Sequence, residues 1–164
     1  EFVLDLEKPY LGFCLGCQLL GEVLGGDVVK SSPPEIGILD ITMHNDYFND
    51  HLFGDFQNKI KALQWHSYEV QNLETISNIT LLGSSPTTKY QIFKYKNHAY
   101  GIQFHIEIKS NTVSQWACVP EYENALEESL GKGALYKFDK IAQENMKNMN
   151  FNAENLYNNF KKLL

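Results

Sequence analysis

Tyr10-Leu-Gly-Phe-Cys-Leu-Gly-Cys-Gln18 is the stretch that decides the fold, because in it an apolar run passes directly into a helical pattern. Residues 10–13 predict a short buried strand. Leucine and valine side chains recur at helical spacing over 15–24, and we expect this stripe to pack in the core. Gly25-Gly26 then ends the helix, as glycine commonly does. The stretch predicts an α/β fold.

Cys14 lies at the junction between the strand and the helix, between Gly12 and Gly16. Such a pattern predicts a tight turn, because a Cβ at either glycine would collide with neighbouring backbone. We expect the turn to raise Cys14 above the sheet at the helix N-terminus. The helix dipole and free N–H groups favour a thiolate there, so Cys14 is the candidate nucleophile.

The remaining sequence predicts further strands and a helical end. Expected strands cover 27–30, 36–43, 60–65, 79–83, 90–96 and 99–105, with a turn at 31–34. Helices are expected at 111–118, 121–130, 136–149 and 153–164, the last capped by Asn152. We therefore predict a mostly parallel sheet flanked by helices, with an antiparallel extension over 79–105. No linker divides the chain, so 1–164 is expected to be one domain whose C-terminal helical part begins near 109.

Composition excludes several classes of function. The chain has 164 residues, 43% of them hydrophobic, and a net charge of -6 without a dense basic cluster. Neither nucleic acid nor a membrane is expected as a partner. The three cysteines, Cys14, Cys17 and Cys118, do not form a disulfide framework, which favours a cytoplasmic location. Regular metal-ligand spacing is absent from the sequence, so no metal or cofactor is predicted, and Cys118 is expected in the core.

A base for Cys14 is predicted at the end of the last strand, where the sequence reads Gly101-Ile-Gln-Phe-His-Ile-Glu107. His105 and Glu107 are two residues apart, so an extended backbone directs both side chains to one face. A carboxylate beside an imidazole fixes its tautomer and stabilises the imidazolium. We predict that Cys14 attacks, His105 carries the proton and Glu107 orients His105.

These motifs resemble those of the class I glutamine amidotransferases, which use a Cys-His-Glu triad and have a flavodoxin-like α/β fold. The family's Gly-x-Cys-x-Gly-x-Gln pattern is matched by 12–18, and its His-Pro-Glu by 105–107, with Ile106 in place of proline. Trp65-His66-Ser67-Tyr68 is similar to the segment that holds the α-carboxylate of glutamine. Pro34-Glu35-Ile36-Gly37 resembles a segment of the GMP synthetase-like branch. The resemblance covers about 8–108.

What this resemblance implies is hydrolysis of the L-glutamine side-chain amide to glutamate and ammonia through a Cys14 thioester. The N–H of Leu15 would stabilise the oxyanion, Gln18 would contact glutamine, and the Ser67 and Tyr68 backbones would help hold its carboxylate. No segment resembles an ATP-binding domain. The ammonia would therefore pass to a synthetase or another acceptor enzyme.

The chain starts at Glu1, in what resembles the last turns of a helix. From this start we expect an N-terminally truncated domain without its first strands. In the family a second oxyanion donor comes from a loop upstream of the nucleophile, and losing one such donor costs on the order of 100- to 1,000-fold in rate. An open sheet edge would favour a homo-oligomer.

Other functions remain open at this stage. A γ-glutamyl hydrolase would use the same triad on a different γ-glutamyl compound. A catalytically silent module would bind or regulate a partner. Cys14 and Cys17 also have the spacing of a redox pair, although Gln18, His105 and Glu107 have no role in that interpretation. Trp65 is equally compatible with the core and with a cleft wall.

Overall fold

A computed structural model describes residues 2–164, so the prediction that Glu1 belongs to a helix lies outside the described residues. The strands are β1 (Tyr10–Phe13), β2 (Asp27–Met43), β3 (Lys59–Gln71), β4 (Ile79–Ser84), β5 (Ile92–Tyr95) and β6 (Ala99–Ile102). The α-helices are α1 (Phe2–Asp5), α2 (Leu15–Val23), α3 (Thr112–Trp116), α4 (Pro120–Leu130) and α5 (Ala134–Phe160). Short 3-10 helices cover Asn45–Asn49 and Lys161–Leu163.

The six strands form one sheet in the order β1-β6-β5-β4-β2-β3. The α/β class and the antiparallel extension through β4, β5 and β6 are confirmed. The sheet is less parallel than predicted: within residues 2–164, β1 and β6 run parallel and the other neighbours are antiparallel. β2 and β3 follow each other without a crossover helix, and strands connected in that way pair antiparallel.

The turn predicted at 31–34 is wrong, because β2 continues through these residues. Its partner β3 pairs with both halves of β2, and the register shifts between Lys30 and Glu35. Extra residues on one strand of an antiparallel pair form a bulge, which redirects side chains without ending the strand. The shift places Glu35 directly opposite His66.

The α2 helix packs on the sheet through small residues, and the prediction that its leucine and valine stripe is core is wrong. Exposed fractions of 64%, 50% and 45% are found for Leu15, Leu19 and Val23. The buried face contains Cys17 and Gly21 beside Leu20. A Cβ on Gly21 would lie 2.5 Å from Val70, so the helix lies too close to β3 for a larger residue.

The C-terminal region contains one long helix where two were predicted. α5 runs for 27 residues, and Asn152 lies inside it rather than at an N-cap. Residues 134–160 contain no glycine or proline, and an interior asparagine costs a helix about 0.5 kcal/mol. A continuous buried stripe outweighs that cost, and it is formed by Phe138, Ala142, Met149 and Leu156. Within residues 2–164, no helix combines the length and apolarity needed to cross a membrane.

The topology brings two strand ends together. β1 and β6 are parallel neighbours, so Cys14 and His105 follow at the same edge of the sheet. The Cys14 N–H donates to the carbonyl of Ile102 at 2.8 Å, and His105 exchanges two backbone hydrogen bonds of 2.9 Å with Leu63 of β3. Sites in open α/β sheets form at the carboxyl ends of parallel strands.

Candidate active site

Cys14 occupies a strained turn between β1 and α2. Its backbone has φ 45° and ψ -102°, outside the regions that most side-chain-bearing residues adopt. A Cβ on Gly12 would lie 2.5 Å from the carbonyl carbon of Gly16, so Gly12 must be glycine. The same prediction for Gly16 is wrong, because the nearest atom to its Cβ would be the Tyr10 hydroxyl at 3.4 Å. One of the two glycines therefore determines the turn.

His105 and Glu107 form a close pair, as their spacing predicts. Nδ1 of His105 lies 2.5 Å from Oε1 of Glu107. The other carboxylate oxygen accepts a hydrogen bond of 2.9 Å from the Ile106 N–H, which fixes the carboxylate. Because Glu107 occupies Nδ1, Nε2 is the nitrogen available to exchange a proton with Cys14.

Ionisation of this pair follows from its contacts. Burial opposes the charge on His105, but hydrogen bonds with Cys14 and Glu107 prevail and raise the pKa of His105 to about 9. Burial also opposes ionisation of Glu107, yet the hydrogen bond and charge of His105 lower the pKa of that carboxyl. At neutral pH the pair is an imidazolium and a carboxylate.

A cavity of about 340 Å³ lies against Cys14 and His105. Apart from these two, it is lined by Phe13, Leu15, Trp65, Trp116 and Tyr122. The His105 ring packs edge-on against Trp116, with centroids 5.0 Å apart. Trp65 is both core and wall, since it is buried and also lines the cavity. Trp116 and Tyr122 carry no signal in the sequence that separates them from ordinary core aromatics.

The polar side of Cys14 is built by Gln18, Tyr68 and Gln103. Nε2 of Gln18 donates to the Tyr68 carbonyl at 2.9 Å and to Oε1 of Gln103 at 3.2 Å. Nε2 of Gln103 lies 3.7 Å from Sγ of Cys14. Gln103 is 1% exposed, and sequence reasoning missed it. A glutamine in an apolar strand, on the same face as His105, is the signal that could have revealed it.

The two remaining predicted contacts lie at the ends of this arrangement. Leu15 is the first residue of α2, so its N–H has no acceptor within the helix and is free for an oxyanion. Ser67 lies in β3 beside Tyr68 and is half-buried. No hydrogen bond from the Ser67 side chain is found among the described residues.

The other cysteines differ from Cys14. Cys17 is fully buried as predicted, and burial raises its thiol pKa well above the ordinary value. A buried thiol with a raised pKa is a poor redox partner, which disfavours the redox interpretation. Cys118 is exposed, so its predicted place in the core is wrong. In the part of the chain that the structure describes, no three potential metal-ligating residues cluster.

Comparison with known proteins gives consistent results. Residues 1–116 match the family described as glutamine amidotransferase class-I. The matching subunit of glutamine-hydrolysing GMP synthase from Sulfurisphaera tokodaii is 34% identical over 110 residues, covering 66% of this chain and 56% of that protein. The corresponding protein of Ignicoccus hospitalis is 37% identical over 110 residues, with the same two shares.

Among solved structures, a glutamine amidotransferase from Thermotoga maritima superposes with a TM-score of 0.80 and 28% identity, over 96% of this chain and 64% of that one. One from Methylobacillus flagellatus has a TM-score of 0.79 at 20% identity, over 99% and 66%, and supports the fold alone. The chain thus spans about half the length of the curated relatives it matches. It belongs to the class I glutamine amidotransferase family, in the GMP synthase-like branch.

Proposed function

We propose that this chain hydrolyses the side-chain amide of L-glutamine to glutamate and ammonia, with Cys14 as nucleophile. The observation that carries the proposal is that Cys14 and the His105–Glu107 pair meet at one cavity. Family membership supports the same reaction, because the GMP synthase relatives are named as glutamine-hydrolysing. Residues 1–164 would form one domain for this half-reaction.

The reaction proceeds in two stages. Nε2 of His105 takes the thiol proton, and Sγ of Cys14 attacks the amide carbon. The Leu15 N–H donates to the resulting oxyanion. His105 then returns the proton to the leaving nitrogen, so that ammonia departs and a γ-glutamyl thioester remains. In the second stage, His105 removes a proton from water, which attacks the thioester and releases glutamate and the free thiol.

Substrate recognition is assigned to the polar side of Cys14. Both N–H donors of the Gln18 amide are occupied by Tyr68 and Gln103, and no donor pairs with its Oε1 within residues 2–164. A free carbonyl oxygen suits the α-ammonium group of glutamine. Ser67 and Tyr68 would meet the α-carboxylate through their backbones.

The acceptor of the ammonia is proposed to lie on another protein or domain. The relatives from Sulfurisphaera and Ignicoccus are named as subunits of GMP synthase, which supports a synthetase partner for this chain. Co-purification with a synthetase, together with glutamine-dependent amination by the pair, would support this. Free ammonia release that no such partner stimulates would contradict it.

The test of the main proposal is selective labelling. A diazoketone analogue of glutamine should alkylate Cys14, and L-glutamine should protect it, as read by peptide mass spectrometry. Cys118 is exposed and serves as an internal control, because iodoacetamide should modify it while the analogue should not. Absence of labelling at Cys14 would contradict the proposal and favour a silent binding module.

A second candidate, a γ-glutamyl hydrolase, is favoured by the size of the aromatic cavity. Ammonia needs about the 30 Å³ that a water occupies. The cavity next to His105, which would protonate the leaving nitrogen, measures about 340 Å³. Amine release from a γ-glutamyl anilide should then exceed ammonia release from glutamine, and the opposite preference would exclude this candidate.

We also propose that copies of this chain associate. Support comes from the exposed side chains of Leu15, Leu19 and Val23 along α2. Within residues 2–164, β1 pairs with β6 on one side and with no strand on the other. Light scattering should show a dimer or larger species, and Leu19→Lys should weaken it. A monomer at micromolar concentration would contradict this proposal.

A further inference from the structure

A buried charged pair lies on β2 and β3, outside the predicted triad. Glu35 and His66 are opposite each other in the antiparallel register, and Nε2 of His66 lies 3.2 Å from Oε2 of Glu35. Their side chains are 3% and 2% exposed. Burying such groups is costly unless polar contacts compensate, so their retention in the sheet calls for a role.

Glu35 is held by neutral donors from the segment that precedes β5. Oε1 accepts a hydrogen bond of 2.8 Å from the Thr87 hydroxyl, and Oε2 accepts one of 2.7 Å from Nε2 of Gln91. Gln91 in turn accepts at 2.9 Å from Gln64. Burial opposes ionisation, but His66 and the neighbouring hydroxyls outweigh it and lower the pKa of Glu35. The carboxylate is therefore a charged and fixed anchor.

His66 connects this anchor to the predicted substrate pocket. With Nε2 directed to Glu35, its Nδ1 donates to the Tyr68 carbonyl at 3.0 Å. Gln18 donates to the same carbonyl, so both lone pairs of that oxygen are used. Gln18 reaches Gln103, and Gln103 reaches Cys14. A continuous chain of polar contacts thus runs from Glu35 to the nucleophile.

We propose that Glu35 and His66 are positioning residues that hold the Tyr68 carbonyl and the Gln18 amide in the arrangement that accepts glutamine. The inference rests on the proposed function and adds two residues to it. Neither residue lines the cavity that Cys14 shares with His105, so both act through other groups. Their loss should impair recognition of the amino acid and leave the chemical reactivity of Cys14 unchanged.

The experiment compares two reagents on the same thiol in the whole chain. The diazoketone analogue of glutamine requires the pocket, whereas iodoacetamide requires the reactive sulfur alone. In Glu35→Gln the rate of Cys14 labelling by the analogue should fall about tenfold, as expected for loss of one or two hydrogen bonds. Alkylation by iodoacetamide should stay within about twofold of wild type.

A matched control separates positioning from stability. Asp50 is another buried carboxylate, bonded to Lys94 and Tyr100 away from Cys14. Asp50→Asn should lower the melting temperature without changing the ratio of the two labelling rates. If Glu35→Gln does not fold, Thr87→Val removes one hydrogen bond to Glu35 and should shift the same ratio by a few-fold.

The outcomes distinguish this inference from the proposed function. A wild-type chain that iodoacetamide alkylates but the analogue does not label would overturn both. Equal labelling ratios in wild type, Glu35→Gln and Thr87→Val would overturn the positioning role alone. A reduced ratio in Asp50→Asn equal to that in the Glu35 variant would also overturn it, because the effect would then follow stability.

Discussion

Replacing Glu107 by glutamine should lower the pKa of His105. The rise from 6.5 to about 9 corresponds to about 3 kcal/mol, and it arises from hydrogen bonds with both Cys14 and Glu107 against the cost of burial. The Glu107 side chain is 44% exposed, so solvent screens its charge. We assign about 1.5 kcal/mol to Glu107, which predicts a fall of about one pKa unit in Glu107→Gln.

The same pair makes stability depend on pH. The raised pKa of His105 contributes stability that is complete below pH 6.5 and is lost as pH rises through about 9. The lowered pKa of Glu107 contributes stability that is present above pH 4.5 and is lost as pH falls through its folded value. Wild type and Glu107→Gln should therefore differ most in unfolding free energy between pH 4.5 and 6.5.

Two measurements check this. NMR titration of the histidine rings, with His105→Gln to identify the signal, gives the pKa of His105 in each protein. Urea unfolding at about pH 5.5 and about pH 10 gives the stability difference, which should be larger at the lower pH. A His105 pKa unchanged by Glu107→Gln, or a stability difference that grows toward pH 10, would refute the reasoning.

Three further outcomes are expected. Cys14→Ala should abolish glutamate release while Cys17→Ala retains it, and the reverse result in a glutaminase assay would restore the redox interpretation. Gly12→Ala should lose about 2 kcal/mol in urea unfolding, because its Cβ would lie 2.5 Å from Gly16, whereas Gly16→Ala should gain about 0.5 kcal/mol. Asn152→Ala should gain about 0.5 kcal/mol as an interior helix residue, and a loss of about 1 kcal/mol would indicate an N-cap instead.

Errors in the sequence-based prediction have a common physical origin. The apolar stripe on α2 has helical spacing, but spacing does not say which face meets the sheet. Gly21 and Cys17 form the contact face because Val70 and Gly101 lie too close for larger side chains. The break predicted near Asn152 failed for a similar reason, since packing along α5 outweighs a small local preference.

Local pattern by itself determined the turn at Cys14 and the contact between His105 and Glu107. Both depend on residues a few positions apart, where backbone geometry leaves few alternatives. The catalytic roles of these residues remain a prediction that the labelling experiment tests.

Only the tertiary structure decided how the nucleophile is surrounded. Gln18 meets Tyr68 and Gln103 across separations of 50 and 85 residues, and Glu35 meets His66 through the register shift in β2. The aromatic cavity likewise depends on helices that follow His105 in the chain. Such contacts arise when distant segments pack, and no local rule of sequence specifies which partner a buried polar side chain will find.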